Sequence, residues 1–181
     1  MKILSIVFSL LILVSCSHQI SREISSKKLQ RVESLDEAKK LINGNTSTSF
    51  AYVKTDNSEI EIHKNLHNDN RISVVDFLGE FIFVNEPLKE NNIEYANNYC
   101  NLILPGSTIP SKMDLNIFFT PIEFKSDLVS LGVANNSAKY IISDTTTVNE
   151  YAVGVYNYGE RRFDFIEPFF GTELGLICVK K

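Results

Sequence analysis

The chain has 181 residues, with 22 acidic side chains against 18 Lys and Arg, a formal charge of −4 and a hydrophobic content of 44%. That length and apolar share suit one folded domain. The mildly acidic balance, with no basic stripe along the chain, argues against a nucleic-acid partner.

Met1-Lys2 gives a positively charged start to an apolar run from Ile3 to Val14, interrupted only by Ser5 and Ser9. The run falls short of the roughly 20 residues that a bilayer-spanning helix needs and fits the roughly 7 to 15 of a secretory signal core. It stops at Leu13-Val14-Ser15-Cys16, which resembles the lipobox of bacterial lipoproteins at every position. An ordinary secretory peptide with an incidental Cys16 is the alternative. The lipobox resemblance implies cleavage before Cys16, acylation of that cysteine and a membrane as partner. Each buried acyl methylene then contributes about 0.8 kcal/mol. Ser17 rather than aspartate follows the cysteine, which by likeness to the sorting rules of two-membrane bacteria implies an outer-membrane, lipid-anchored location. Loss of the 15 leading residues removes Lys2 and no acid, taking the charge from −4 to −5.

With Cys16 assigned to lipid, Cys100 and Cys178 remain for an oxidising compartment. Two outcomes stand: two buried free thiols, or a disulfide closing a loop of roughly 79 residues, for which chain entropy gives about 4 kcal/mol.

Residues Ser17 to Glu33 are polar and lack an apolar period, and read as a flexible tether. A single globular domain is expected from Ser34 to Lys181. Ser34 and Glu37 have capping-box spacing before a helix with Leu35, Ala38, Leu41 and Ile42 on one face, and Asn43-Gly44 is a fitting stop. Strands follow at Phe50–Lys54, Glu59–His63, Ile72–Phe77 and Glu80–Val84, separated by Asn, Asp and Gly. His63 and His67 are four apart, a spacing that presents two metal ligands only on a helix. The alternation Glu59-Ile60-Glu61-Ile62 indicates a strand and a turn instead, so no metal site is expected.

Asn92 is placed to cap a helix carrying Ile93, Ala96, Cys100 and Ile103 at helical spacing. A second helix is expected from Ser111, with Asp114 at capping distance, Leu115, Phe118 and Phe119 on its buried side, and Thr120-Pro121 ending it. Strands return at Lys139–Ser143, Tyr151–Tyr156, Arg161–Ile166 and Leu174–Val179, with Asn157-Tyr158-Gly159-Glu160 as a hairpin turn. Phe163 and Phe165 read as core-facing strand residues, with Phe169-Phe170 buttressing the loop after Pro168.

Four motifs in order carry a resemblance over roughly Ile72 to Lys181. They are Glu94, Ala96, Tyr99-Cys100 and Leu102; Gly106 with Ile109-Pro110-Ser111 and Asp114-Leu115; Tyr140 to Thr145; and Ile177-Cys178-Val179. Together they resemble the secreted C-terminal domain of bacterial collagen-like adhesins, distantly related to sulfatase-modifying enzymes. The resemblance implies an α+β, C-type-lectin-like fold of short helices packed on antiparallel strands, with Cys100 bridged to Cys178. Ile93, Ser107 and Ile141 stand where that family has tryptophans, so its ligand does not carry over.

No nucleophile elbow, zinc-protease motif or phosphate-binding glycine loop is present. The resemblance likewise leaves no spare reactive cysteine pair, so neither catalysis nor a cofactor is expected. The expected role is binding, with an envelope protein or a glycan as partner in adhesion, or as a structural component of the envelope. Candidate ligand residues are Asp144, Asn149 and Glu150 in a polar loop, with Arg161 and Arg162 as partners for an anionic glycan. A surface salt bridge is the plainer account of the two arginines.

Overall fold

The computed structural model describes residues 29–65, 71–84, 86–145, 152–168 and 172–181, so Cys16 lies outside the described residues. In chain order the elements are β1 (Gln30–Val32), α1 (Leu35–Asn43), β2 (Thr48–Val53), β3 (Glu59–Asn65), β4 (Arg71–Asp76), β5 (Gly79–Val84), α2 (Ile93–Ile103), α3 (Lys112–Phe118), α4 (Phe124–Ser130), β6 (Lys139–Ile142), β7 (Val153–Asn157), β8 (Arg162–Ile166) and β9 (Gly175–Lys180). The nine strands form one sheet in the order β1-β2-β3-β4-β5-β9-β6-β7-β8. Pairing is antiparallel except for β1 with β2 and β6 with β9. The fold is α+β.

Strand alternation decides which residues meet which helices. Phe50, Tyr52, Ile60, Ile62, Val74, Phe81, Phe83, Tyr140 and Ile177 point to one face, where they pack with Ala38 and Ile42 of α1, Leu115 and Phe118 of α3, and Phe124 and Leu128 of α4. Aromatic rings fill its centre: Phe81 stacks on Phe118 at 4.0 Å, and Tyr140 meets Phe83 edge-on at 5.8 Å. Each large side chain buried there contributes on the order of 1.5–3 kcal/mol. The opposite face has a smaller core, in which Ala96 and Cys100 of α2 pack on Ile141, Val153, Val155, Leu176 and Cys178.

Cys100 and Cys178 form a disulfide that joins α2 to β9, with Cα atoms 5.2 Å apart. The Asn92 side chain caps α2 by accepting from Tyr95 N, as expected. The Ser111–Asp114 capping box also forms on α3. Burial pushes the Asp114 carboxyl up, but hydrogen bonds from Lys181 and Ser111 outweigh it and hold it below its ordinary value.

The structure corrects several expectations. The tether cannot run to Glu33, because Gln30–Val32 pairs with β2 and Val32 is fully buried. A three-residue strand is too short to show a period. Ser34 precedes α1 as expected but makes no side-chain cap. Glu37, its expected capping partner, instead accepts from Gln30 Nε2 at 2.9 Å. Helix α4 was not foreseen; its N-cap, Glu123, is itself helical and makes no cap bond, so no start signal precedes it. Phe163 is half-buried against Tyr156, but Phe165 is 51% exposed. Its cross-strand neighbour is Gly154, which offers no side chain to pack on.

The bridge spans 78 residues of chain. Replacing both cysteines by alanine is therefore expected to lower unfolding free energy by about 4 kcal/mol, measured by urea denaturation under oxidising conditions.

Candidate functional site

Helix α2 covers the smaller core over β9, β6 and β7, and does not reach across β1 to β4. On that side of β2 to β5 the alternation that buries Phe50, Tyr52, Ile60, Ile62 and Val74 turns out Ser49, Glu59, Glu61, His63, Ser73 and Val75. The register aligns them in rows. Ser49 pairs with His63, His63 with Ser73, Ser73 with Ile82 and Ile82 with Cys178. One row thus runs from the exposed Ser49 through the half-buried His63 and the buried Ser73 to the disulfide.

Ile103 and Leu104, at the end of α2, overhang this surface and close one side of a groove of about 400 Å³. Its floor presents His63, Asn65, Arg71, Ser73 and Glu80, interleaved with Val75 and Ile82. Arg71 Nη1 donates to the Ile103 carbonyl at 3.3 Å, placing a cation at a helix C-terminus. His63 Nδ1 lies 2.8 Å from Ser49 Oγ and His63 Nε2 lies 3.1 Å from Glu61 Oε2. Serine, imidazole and carboxylate here form an exposed surface chain within paired strands. The Ser49 backbone belongs to the β2–β3 ladder rather than to a donor cluster aimed at a developing oxyanion.

A second depression, of about 340 Å³, lies on the helical side, where Phe77 in the β4–β5 turn and Ile117 of α3 flank Lys54, Asp56 and Asp76. Phe77 is 82% exposed. Met113, also exposed, stands one turn before Ile117. Lys54 Nζ donates to the Thr120 carbonyl at 2.8 Å. Asp76 Oδ1 accepts from Leu78 N at 2.7 Å, while its Oδ2 is buried without a partner. Burial pushes the Asp76 carboxyl above its ordinary value, against the opposing hydrogen bond from Leu78.

Of the sequence-predicted ligand residues, Asp144, Arg161 and Arg162 are among the described residues. Asn149 and Glu150 lie outside the described residues, as do His67 and Phe169-Phe170. Asp144 is half-buried and accepts from the backbone N–H of Lys112 at 2.6 Å, at the first residue of α3. That bond ties Asp144 to the N-terminus of α3. Arg161 and Arg162 sit at the β7–β8 turn, at the other end of β7 from Asp144: Gly154 pairs with Ile142, and Asn157 with Arg162. Arg161 is not in the strand as expected but in the turn, with φ 58°, so strand alternation does not orient the pair. Arg162 bridges Glu160 at 3.1 Å and Asp164 at 2.7 Å, the surface ion pair foreseen as its plainer role.

Sequence reasoning missed Arg71 and Glu80, and weighed His63 only as a metal ligand. The polar phase of β3 was the available signal: Glu59, Glu61 and His63 mark one side of that strand as facing water. Among the described residues no three His, Cys, Asp or Glu side chains cluster as a metal site would require. No helix there is long and apolar enough to cross a membrane. No family model, curated protein or solved structure matches the chain.

Asp144→Ala is expected to cost about 1 kcal/mol by exposing the first N–H of α3, seen as a lower urea midpoint with an unchanged slope. A ligand role without a structural one would leave the midpoint where it is.

Proposed function

We propose that the chain is a lipid-anchored binding protein of the outer membrane, acting by adhesion or envelope association rather than by catalysis. Its ligand, a glycan or a polar protein surface, lies in the groove on the open sheet face. The observation that carries this reading is the composition of that groove. Imidazole, guanidinium, carboxylate, amide and hydroxyl groups converge there among Val75, Ile82 and Ile103. Such a mixture suits a ligand that alternates hydroxyl and C–H surfaces. The anchor rests on the lipobox pattern that ends at Cys16.

The finer fold assignment, C-type-lectin-like, belongs to the same proposal. It is supported by the pairing of Cys100 with Cys178, which the resemblance implies, and by a helix that carries the motif residues Glu94, Ala96, Tyr99 and Cys100. Ser107 and Ile141, at two of the family's tryptophan positions, are buried. Ser107 Oγ donates to the Cys100 carbonyl at 2.9 Å, so the loop after α2 is tied down by a small polar side chain.

A second reading, an assembly component that docks another envelope protein, draws on Phe77, Met113 and Ile117. Exposed apolar side chains clustered at a depression mark protein contacts more often than glycan sites.

A glycan and envelope-protein binding screen of the chain tests the ligand. His63→Ala and Glu80→Ala are each expected to weaken the captured ligand about tenfold, equivalent to about 1.4 kcal/mol, with melting temperature unchanged. Binding that ignores both groove variants but disappears in Phe77→Ser moves the assignment to the assembly reading. The anchor is tested by Cys16→Ser, for which detergent-phase partitioning and the acyl mass increment should both vanish. A wild-type chain without acyl mass would defeat that part of the proposal.

A further inference from the structure

The core-facing phase of the meander does not stay apolar to its end. Phe50 and Tyr52 of β2 are followed two residues on by Lys54, and Ile72 and Val74 of β4 by Asp76. On β3 the same phase runs through Ile62 and Ile60 to Ser58, just before the strand begins. These three polar residues meet at one end of the sheet, in the depression of about 340 Å³ that Asp56, Phe77 and Ile117 also line. Its volume lies at the lower end of the roughly 300–1,000 Å³ of small-ligand sites.

The bonding of the charged groups there leaves one carboxylate oxygen unmatched. Lys54 is buried, and its ammonium is turned to the Thr120 carbonyl at 2.8 Å and to the Phe124 ring. Glu59 pairs with Arg31 at 3.2 Å. Asp56 Oδ1 accepts from Ser58 N at 2.9 Å, which fixes this exposed carboxylate. Asp76 Oδ1 is fixed in the same way by Leu78 N, while Asp76 Oδ2 is buried with no hydrogen-bond partner. With Glu59 matched, two carboxylates face one ammonium, an excess of one negative charge. A buried carboxylate oxygen without a partner is costly, and a cation brought into the depression offsets that cost. Apolar surface adjoins the charge, because Phe77 and Ile117 are both exposed. A hard metal ion suits this lining poorly. Such ions take six or more oxygens, and among the described residues no three His, Cys, Asp or Glu side chains cluster as a metal site requires. An organic cation with an apolar stem matches both halves of the lining.

We propose that this depression binds an aliphatic primary ammonium, its charge held by Asp76 and Asp56 and its stem lying against Phe77 and Ile117. A free alkylamine and a lysine side chain share that chemistry. The site lies on the helical side of the sheet, opposite the groove. It depends neither on what the groove holds nor on the docking of an envelope protein.

Thermal melts of the full chain at pH 7 test this, with n-pentylammonium chloride and Nα-acetyl-lysine methylamide as probes. Sodium chloride, calcium chloride and n-pentanol are the controls. At about ten times its dissociation constant, a binding probe should raise the melting temperature by about 3 °C or more over sodium chloride. A rise with the lysine derivative admits a protein side chain, whereas a rise with pentylammonium alone restricts the site to free amines. Asp76→Asn keeps the acceptor for Leu78 N and should raise the midpoint concentration about tenfold. Asp56→Asn, an exposed variant, should raise it about threefold. Neither variant should alter capture of a ligand at the groove. Equal melting in both probes and sodium chloride, an equal rise with pentanol, or a larger rise with calcium would overturn the proposal. So would an ammonium effect unchanged in Asp76→Asn or, should that variant not fold, in Asp56→Asn.

Discussion

The Cys100–Cys178 bridge is the constraint on which the arrangement turns, because of where β9 sits. This last strand pairs with β5 on one side and β6 on the other, and so joins the meander β2–β5 to the β6–β8 unit. Its residues Ile177 and Val179 enter the aromatic core, while Leu176 and Cys178 point to the opposite side. The disulfide fastens α2 to that opposite side at the seam of the sheet. It is reinforced by the mutual backbone hydrogen bonds of Thr108 and Val179, which hold the loop after α2 along the same strand. A chain-terminal strand inserted in mid-sheet closes long loops. A covalent tie there joins elements 78 residues apart, where loop closure is costly.

From that tie follows the inequality of the two faces. Among the described residues the helical face is covered from β1 to β8 by α1, α3 and α4, whereas the other face carries α2 alone, moored at the seam. Among those residues no helix covers the other side of β1 to β4, where Glu59 and Glu61 are exposed and His63 is half-buried while Ala51 and Ser73 are buried. Where α2 ends, Ile103 and Leu104 overhang that open surface. The groove is thus a boundary between a covered and an uncovered half of the same sheet. Arg71, which reaches from β4 to the Ile103 carbonyl, spans that boundary.

Elements with local signals were legible in the sequence; relations between distant elements were not. Helix α3 announced itself because Ser111 and Asp114 satisfy each other within one turn, and α2 because Asn92 caps Tyr95. The identical spacing at Ser34 and Glu37 misled for a tertiary reason: Gln30, in a strand too short to detect, takes the Glu37 carboxylate. Asp144 was read from the sequence as a ligand residue, and the structure shows a bond that the sequence did not announce. Its partner is the N-terminus of a helix 32 residues earlier. The groove was invisible for the same reason on a larger scale. Its lining comes from three strands and a helix end, and no single segment carries an excess of polar residues. Strand phase indicated which side of β3 meets water, but not that an overhang would turn that side into a concavity.

Helix α4, which no start signal precedes, couples the two parts of the sheet on the helical side. Tyr52 of β2 donates its hydroxyl to Asp127 of α4, and Tyr158, just after β7, donates to the Lys125 carbonyl of the same helix. Both phenols are pushed up, Tyr52 by burial and then by Asp127, Tyr158 by burial and then by the neighbouring tyrosines. Both therefore stay protonated and keep donating across the neutral range. Lys54 adds a third link, its ammonium 5.2 Å from the Phe124 ring and bonded to the Thr120 carbonyl. Seven residues thus bind strands that are far apart in sheet order, with side chains reaching in from both directions. A helix held in this way does not need a capping residue or strong intrinsic propensity, because its stability comes from tertiary contacts. That also explains how the helix tolerates Lys125 at a core-facing position. The polar links on either side fix the backbone, so the lysine stem is held against Tyr158 instead of turning the helix outward to reach water.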